Sequence, residues 1–446
     1  MLFSTQKDAS PSVVKTTRRF PLLNWTDGDW LWFLIVAGLT VRICYPLFDN
    51  PFLHLVSDSF RHYEHATHEL NYNLYSASDA LGYQVWLSTA VHLFGKSRFA
   101  AAVYAGIMSA TTAYVWYLWF KLCLPSKKLA LLAYALIVWL PDWIKIYSYF
   151  MEETLLLPLV GLMLYFGWKA KQTLALKDSL LFAGAAGLSF ITKATCAPIL
   201  AITYIFLAGN LHAQLSRSEL IRRLVQCISI TLLICLLAPI SFYSRTGAWS
   251  WFLPAQAGAN KLYYESGKRE IQIAARYWDR FDQQWKTEGY WFGCPSFYTK
   301  QLLPFSDWTS GRLGTCECTM DFGAPASSRF LPKIDLSWGK RIELTLENWI
   351  YLFVGFVWPT EFPDSKVNFE RWLWPFFTLI IFAQALRKRR LNELSILCFG
   401  TILVLMFQQE SIVEGRYRIC WEGIVIPTLL LALSEMRKPE KEIGDG

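Results

Sequence analysis

The sequence predicts an all-α polytopic membrane protein with about ten transmembrane helices, interfacial helices in its first outer loop and a small mixed external subdomain. Of its 446 residues, 54% are hydrophobic and only 17% are charged, whereas average soluble domains carry about 25% charged residues. Apolar stretches near the roughly 20 residues of a membrane helix recur along the chain. Many basic residues fall in the short segments between these stretches, where they set the orientation of the helices.

This composition also excludes several classes of protein. It does not fit a disordered chain, a coiled coil or a nucleic-acid-binding module, and it argues against an ordinary soluble enzyme. The net charge of +8 comes from 43 basic and 35 acidic residues. Because many of the basic residues lie between apolar stretches, we expect contacts with membrane lipids and none with nucleic acid.

Ten apolar stretches are candidate membrane helices. They are 30–48, 99–122, 129–147, 153–168, 179–192, 196–209, 224–243, 371–386, 394–408 and 419–434. The fifth and sixth are shorter than a usual span. We interpret them as a tight hairpin of short helices broken at Thr192-Lys193-Ala194-Thr195, and a single kinked span is the alternative.

The charge distribution favours ten spans with both termini in the cytoplasm. The basic residues then concentrate on the cytoplasmic side, in segments 1–29, 121–128, 169–178, 210–223, 387–393 and 435–446. Merging the hairpin into one span would move Arg222 and Arg223 to the side opposite the basic run 387–390. The polar start of the chain, with no small-residue cleavage site after the first apolar stretch, predicts a retained first span.

This topology divides the chain into five parts. They are a cytoplasmic segment 1–29, a transmembrane catalytic module 30–243 with outer loop 49–98, an external region 244–370, transmembrane helices 371–434 and a cytoplasmic tail 435–446. Gly82 to Phe94 is apolar but too short to cross, which predicts an interfacial or re-entrant helix. We expect a second surface helix over 342–358 and a helix near 267–286.

The ten cysteines fall into two groups. Seven lie in or beside apolar stretches and are typical of small core residues: Cys44, Cys123, Cys196, Cys227, Cys235, Cys398 and Cys420. Cys294, Cys316 and Cys318 lie in the external region, without a zinc-site spacing. One disulfide and one free thiol are possible there, and the spacing does not decide which cysteines pair.

The first outer loop is rich in groups that could carry chemistry. If 58–69 is helical, Asp58, His62, His65 and Glu69 share one face. Such a polar stripe at a membrane surface indicates a functional site, although a solvated helix face is the alternative. A divalent metal ion held by His62 and His65 is a further possibility, but no other ligand is evident.

Three more features lie on the predicted outer side. Glu152-Glu153 opens a span, where carboxylates either face a wet cavity or favour the helix N-terminus. Lys193 lies at the tip of the hairpin, and Arg416 and Arg418 precede the last span, against the positive-inside preference. These cations suit the phosphate of an outer-leaflet lipid. Snorkelling to lipid head groups is the alternative.

In their order and sidedness these pieces resemble a known family. The pieces are "SDSFRHYEHA", "SYFMEETLLL", "FITKATCAPIL" and "EGRYRICWEGIVIP". Together they resemble the GT-C membrane glycosyltransferases, and most closely the bacterial protein O-mannosyltransferase and aminoarabinose-transferase group (glycosyltransferase family 39-like). The resemblance covers most of 30–210 and 345–434. Ser59 follows Asp58 where the mannosyltransferase loop usually carries a Glu, which argues against mannosyl transfer to protein.

The resemblance implies an inverting transfer of a sugar from a polyprenyl-phosphate donor to a glycan, lipid or protein acceptor. It implies Asp58 as general base, Glu153 as a second catalytic carboxylate, and a donor phosphate held by Lys193, Arg416 and Arg418. Substrate contacts would come from Arg61, His62, Tyr63 and Tyr417. The implied location is the bacterial inner membrane, with the site facing the periplasm or exterior. Alternatives are a transporter or flippase of lipid-linked sugars, or a non-catalytic component of an envelope polysaccharide assembly complex.

Overall fold

The chain folds as an all-α polytopic membrane protein, with one small β-sheet. The computed structural model describes residues 27–55, 59, 62–63, 66–67, 80–246, 268–274, 290–291, 315–321, 353, 369–389, 391–408 and 418–436. Its helices are α1 (Asp27–Phe48), α2 (Leu81–Phe94), α3 (Arg98–Cys123), α4 (Lys127–Val138), α5 (Pro141–Lys145), α6 (Glu153–Thr173), α7 (Leu176–Thr192), α8 (Ala197–Gln214), α9 (Arg217–Cys235), α10 (Leu237–Thr246), α11 (Phe369–Lys388), α12 (Glu393–Gln408) and α13 (Ile419–Met436). Short 3₁₀ turns cover Pro51–His54, Ile146–Ser148 and Ala194–Cys196.

Each of the ten predicted apolar stretches coincides with one of these helices or with an adjoining pair of them. By length and apolar composition, five described segments are long enough to cross a membrane: Gly28–Phe48, Arg98–Cys123, Ala194–Gln214, Arg217–Ser241 and Ile419–Met436. The bent pair α4 and α5 makes a sixth if it is counted as one span. The remaining helices are shorter or more polar, so the total of ten crossings remains a prediction.

Serine side chains begin several of the helices. Ser97 Oγ accepts a hydrogen bond from Ala100 N at 3.1 Å, and Ser126 Oγ accepts one from Leu129 N at 3.2 Å. These bonds satisfy N–H groups that have no partner within the helix. Helix α2 ends at Gly95, whose φ of 85° lies in the left-handed region that favours glycine. The turn into α3 is therefore encoded locally.

A buried arginine stabilises the 60° bend between α4 and α5. Pro141 begins α5 and cannot donate a backbone hydrogen bond to the preceding turn. Arg42, fully buried in α1, donates from Nε to Val138 O at 2.9 Å and from Nη2 to Ile137 O at 2.6 Å. Its Nη1 reaches Trp143 O at 3.0 Å on the other side of the bend. One side chain thus satisfies carbonyl groups that the break exposes.

Helices α3, α6 and α13 pack around an aromatic core. Trp116 is fully buried and donates from Nε1 to Leu157 O at 2.8 Å, beside Trp119 and Trp143. Because interiors are close-packed, this bulk requires small residues opposite it. Gly423 is one of them, since a Cβ added there would lie 2.4 Å from the Trp116 ring.

Ion pairs lie at both ends of the helical bundle, and which end faces outside remains a prediction. At the end predicted to be cytoplasmic, Lys171 pairs with Glu393, and Lys388 lies 2.6 Å from Glu435. At the other end, Lys193 pairs with Glu153. Segments assigned to one side by their charges therefore meet each other, as helices that alternate in direction require.

The expected helix near 267–286 is wrong in its first half. Residues Lys268–Ala274 form strand β1, which pairs antiparallel with β3 (Thr315–Asp321); β3 also pairs with β2 (Tyr290–Trp291), in the order β1-β3-β2. The sequence KREIQIA places Ile271 and Ile273 two residues apart. This two-residue period with β-branched residues favours a strand.

Two other expectations lie mostly or wholly outside the described residues. The surface helix over 342–358 has only Phe353 described. Cys294 lies outside the described residues, so the expected disulfide of the external region stays a prediction. The seven other cysteines, all described, are free thiols; four are buried, and Cys44, Cys123 and Cys235 are partly buried. The expectation that these are core residues is therefore confirmed for the four buried ones.

Candidate functional site

The candidate site lies where four segments meet at the end of the bundle predicted to face outside. These segments are the connection after α1, the stretch between α5 and α6, the break between α7 and α8, and the start of α13. Phe150 N donates to Ser59 Oγ at 3.1 Å, which joins the first outer loop to the second segment. Glu153 joins the second segment to the third through Lys193.

Glu153 and Lys193 form the centre of the site. Lys193 Nζ lies 2.5 Å from Glu153 Oε1 and 3.2 Å from Glu152 Oε2. The Glu153 side chain is 1% exposed and that of Lys193 is 11% exposed. A lysine held between two carboxylates in so dry a setting is strongly oriented, because a charge–charge contact is less screened there than in water.

The break between helices α7 and α8 explains how Lys193 can occupy this position. Helix α7 ends at Thr192, and Lys193 has an extended backbone with φ −164° and ψ 120°. The 3₁₀ turn Ala194–Cys196 then leads into α8, where Pro198 lies in the first turn. Non-helical backbone at a membrane surface is tolerated where it is buried in protein or lines a wet cavity. The predicted break at Thr192–Thr195 is confirmed.

A second group of charges lies at the start of α13. Arg418 is fully buried; its Nε donates to Glu422 Oε1 at 2.8 Å and its Nη2 to Asp142 Oδ2 at 3.0 Å. Trp143 Nε1 lies 3.2 Å from Glu422 Oε2. Buried charges require such partners. In this arrangement the guanidinium of Arg418 ties α13 to α5.

A small cavity lies between Glu153 and the first residues of α13. Glu153, Leu156, Thr195, Cys196, Ile199, Leu405, Ile419, Cys420 and Trp421 line it. It has room for about one water molecule. Because Glu153 lies on its wall, the cavity connects the Lys193 pair to the first residues of α13.

The described residues of the first outer loop pack on the same end. Ser59, His62, Tyr63, Ala66 and Thr67 have helical backbone. The ring of His62 packs edge-on against Tyr83 of α2, with centroids 5.1 Å apart. The ring of Tyr63 stacks on Phe150 at 4.9 Å. The loop therefore lies against both α2 and the approach to Glu153.

Tyr83 is a buried phenol between the loop and the carboxylates. Burial, and then the nearby Tyr104, Glu152 and Glu153, raise the pKa of Tyr83 well above its ordinary value. Tyr83 therefore stays neutral, and the ring of His62 packs against the ring of a phenol rather than a phenolate.

A carboxylate–imidazole pair lies directly after α1. His54 Nε2 is 2.5 Å from Asp49 Oδ1, and the His54 ring packs on Tyr149 at 4.4 Å. Burial alone would raise the pKa of the Asp49 carboxyl, but hydrogen bonds with His54, Tyr45 and Ser148 and the charge of His54 lower it below its usual value. The Asp49–His54 pair thus holds the residues that follow α1 against the stretch between α5 and α6.

Of the site residues predicted from sequence, the structure describes Glu153, Lys193, Arg418, His62 and Tyr63, and it brings the first two into direct contact. Asp58, Arg61, His65, Arg416 and Tyr417 lie outside the described residues. Within the described part of the chain, no group of three or more His, Cys, Asp or Glu side chains could hold a metal ion. The suggested His62–His65 metal site involves an undescribed residue and stays a prediction.

Sequence reasoning missed Asp142, Glu422 and Arg42. Glu422 stands four residues after Arg418, so an i, i+4 ion pair on one helix could have been predicted. Arg42 is a lone cation within an apolar stretch, which points to a buried partner. In the sequence, Asp142 stands out only as an acidic residue directly after Pro141. Its partner Arg418 lies 276 residues away, so no local pattern links the two.

The chain is similar in structure to a known protein, at low sequence identity. No family model matches the sequence, and no curated protein matches it. Among solved structures, the Archaeoglobus fulgidus oligosaccharyltransferase in the apo form is similar, with a TM-score of 0.47 and 12% sequence identity. The alignment covers 92% of this chain and 51% of that chain. The chain thus spans about half the length of that protein, and a likeness of this extent does not identify an activity.

Proposed function

We propose that this integral membrane protein is a glycosyltransferase of the GT-C type. It transfers a sugar from a polyprenyl-phosphate donor to a glycan, lipid or protein acceptor on the outer face of the membrane. In a bacterium this would be the periplasmic face of the inner membrane. The chain's own residues, and an order of motifs that resembles this family, support this function.

The observation that carries the proposal is the contact between Lys193 and Glu153. Burying two charged residues at a break between membrane helices costs free energy, and residues of this kind mark functional sites. They occur at the same end of the bundle as His62 and Tyr63 from the first outer loop. A site for a charged lipid head group requires a cation at this depth, next to a loop that can hold an acceptor.

The proposed reaction is one displacement at the anomeric carbon. Asp58 accepts the proton of the acceptor hydroxyl while the acceptor oxygen attacks that carbon. The bond from the carbon to the phosphate oxygen breaks, and its electron pair leaves with the polyprenyl phosphate. Attack opposite the leaving group inverts the configuration. Lys193 stabilises the negative charge that develops on the phosphate.

The carboxylate of Glu153 has a positioning role in this proposal. At 2.5 Å it fixes the position of the Lys193 ammonium, and it can also accept a hydrogen bond from a sugar hydroxyl. Preorganised charges in a water-poor site stabilise developing charge more than mobile ones do.

Arg416 and Arg418, which precede α13, have different proposed roles. Because the guanidinium of Arg418 is buried between Asp142 and Glu422, we assign it the positioning of the α13 start in this conformation. A direct contact of Arg418 with phosphate would need those pairs to open. Arg416 is the second proposed phosphate ligand. Arg61, His62, Tyr63 and Tyr417 are proposed to contact the sugars, with aromatic rings against sugar faces.

A lysine–glutamate ion pair at the opposite end of the bundle provides a matched control for the test. Lys171 pairs with Glu393 and is also largely buried. The purified chain in proteoliposomes would be given polyprenyl-phosphate sugars, and release of polyprenyl phosphate would be measured. Lys193→Met should lower turnover by about 100-fold or more, as loss of an oxyanion-stabilising group does, whereas Lys171→Met should keep it. Equal turnover for both variants would overturn the role of Lys193.

A further inference from the structure

The carboxylate of Glu152 lies between two positive groups that belong to different segments. Its Oε2 is 3.2 Å from Lys193 Nζ, and its Oε1 accepts from the backbone N–H of Ala80 at 3.4 Å. Ala80 is the N-cap of helix α2, which has no side-chain cap of its own. Glu152 therefore bridges the lysine of the site and the start of the interfacial helix.

These two groups together make a setting suited to an anion. The Lys193 side chain is only 11% exposed. The N-terminus of α2 adds backbone N–H groups and the positive end of the helix dipole. Gly82 brings this N-terminus against the end of α7, because its missing Cβ would lie 2.8 Å from Thr192 Oγ1.

The two carboxylates around Lys193 are not equivalent. Glu153 is closer, at 2.5 Å, and 1% exposed, whereas Glu152 is at 3.2 Å and 16% exposed. Moving Glu152 into water costs less than moving Glu153, because Glu152 is the more exposed of the two carboxylates and lies farther from Lys193. Glu153 would lose most of its charge stabilisation if it were separated from the lysine in its dry position.

We propose that the carboxylate of Glu152 occupies the position that the donor's phosphate takes during the reaction. This inference rests on the proposed function. A phosphate cannot join Lys193 while both carboxylates remain, since three negative groups would surround one cation. The incoming phosphate displaces Glu152 from Lys193 and from Ala80, and Glu153 stays in place.

The exchange also serves product release. After transfer, the polyprenyl phosphate is a monoester that carries more negative charge than the donor diester, so it binds a cation more tightly. Glu152 competes with it for Lys193 and for the N-terminus of α2. Glu152 thus sets the affinity for both lipid phosphates and lets the product leave.

Binding measurements on the full chain in detergent test this exchange. The probe is farnesyl phosphate, and inorganic phosphate is a parallel probe that distinguishes a lipid phosphate from a free one. Glu152→Gln keeps the shape but removes the charge, so farnesyl phosphate should bind about two- to fivefold more tightly, the range of a part-exposed charge pair. Glu153→Gln should weaken binding, and Glu393→Gln at the other end of the bundle should leave it unchanged.

The outcomes separate this inference from the proposed function. If Lys193→Met weakens farnesyl phosphate binding but Glu152→Gln does not strengthen it, the exchange is wrong and the phosphate site stands. If neither variant changes binding, the phosphate site itself is wrong. Tighter binding of inorganic phosphate alone to Glu152→Gln would contradict a lipid phosphate as the occupant. Thermal unfolding of each variant checks that the fold is kept.

Discussion

Arg418 and Glu422 form an ion pair one helical turn apart, with Nε and Oε1 separated by 2.8 Å and both side chains fully buried. The same guanidinium holds Asp142 from the other side. Helix α13 is thereby tied to the short helix α5 that follows the bend. Because α13 also lines the cavity beside Glu153, this pair links the stability of the bundle to the shape of the site.

Replacing Arg418 by Met should be strongly destabilising. The change leaves Asp142 and Glu422 as buried carboxylates without their cation, which costs about 3–5 kcal/mol. Unfolding in detergent, followed by circular dichroism during a denaturant titration, measures the loss.

Neutralising the carboxylates of Asp142 and Glu422, which lose their cation in this variant, provides the control. Asp142→Asn and Glu422→Gln added to Arg418→Met should recover a large part of the lost stability, because no buried charge then remains. A triple variant less stable than Arg418→Met alone would contradict the view that uncompensated charge causes the loss.

Gly82→Ala tests the close approach of α2 to the end of α7. The added methyl group would lie 2.8 Å from Thr192 Oγ1 and 3.1 Å from Thr192 N. Such overpacking typically costs about 1–3 kcal/mol, and it should also lower turnover, because Lys193 follows Thr192. Thermal unfolding and turnover are measured on the same preparation.

Gly184→Ala is the matched control for this substitution. Gly184 also lies in a helix, but no atom is found within 4 Å of its added Cβ. Alanine should therefore stabilise the helix there, by up to about 1 kcal/mol. Equal effects of the two substitutions would show that the contact with Thr192 is not tight.

The Asp49–His54 pair predicts a pH dependence of stability. Since the folded pKa of Asp49 is lowered, its contribution is fully present above the unfolded value, about 3.9. It is lost as the pH falls through the lower folded value. Asp49→Asn should thus lower Tm at pH 5, and the difference from the unchanged chain should shrink toward pH 3. A difference that stays constant over this range would contradict the assignment.

Much of the fold could be predicted because a bilayer restricts the choices. Helices satisfy their own backbone groups in lipid, so apolar length alone located each helical stretch. The hairpin break at Thr192–Thr195 followed from two short spans and the placement of Arg222 and Arg223. The strand over 268–274 was missed because this region was predicted to lie outside the membrane, where the backbone has more choices and only the local periodicity of the sequence distinguishes a strand from a helix.

The site was predictable only in part, for a different reason. Glu153 and Lys193 were singled out separately, each as an unusual charge at the outer end of a span, and the fold joins them across 40 residues. The partner of Arg418 could not be found in this way. Asp142 is brought to it by the bend that Arg42 stabilises, and no local pattern reports such a tertiary contact.

We propose that the chain transfers a sugar from a lipid phosphate. To test this, the wild-type chain and Asp58→Asn are reconstituted in membranes with a panel of polyprenyl-phosphate sugars and a crude envelope acceptor. Release of polyprenyl phosphate is then measured. The proposal predicts release with at least one donor and its loss in the variant, while lipid binding is kept. No release with any donor, with or without divalent metal, or equal release by both chains, would contradict it.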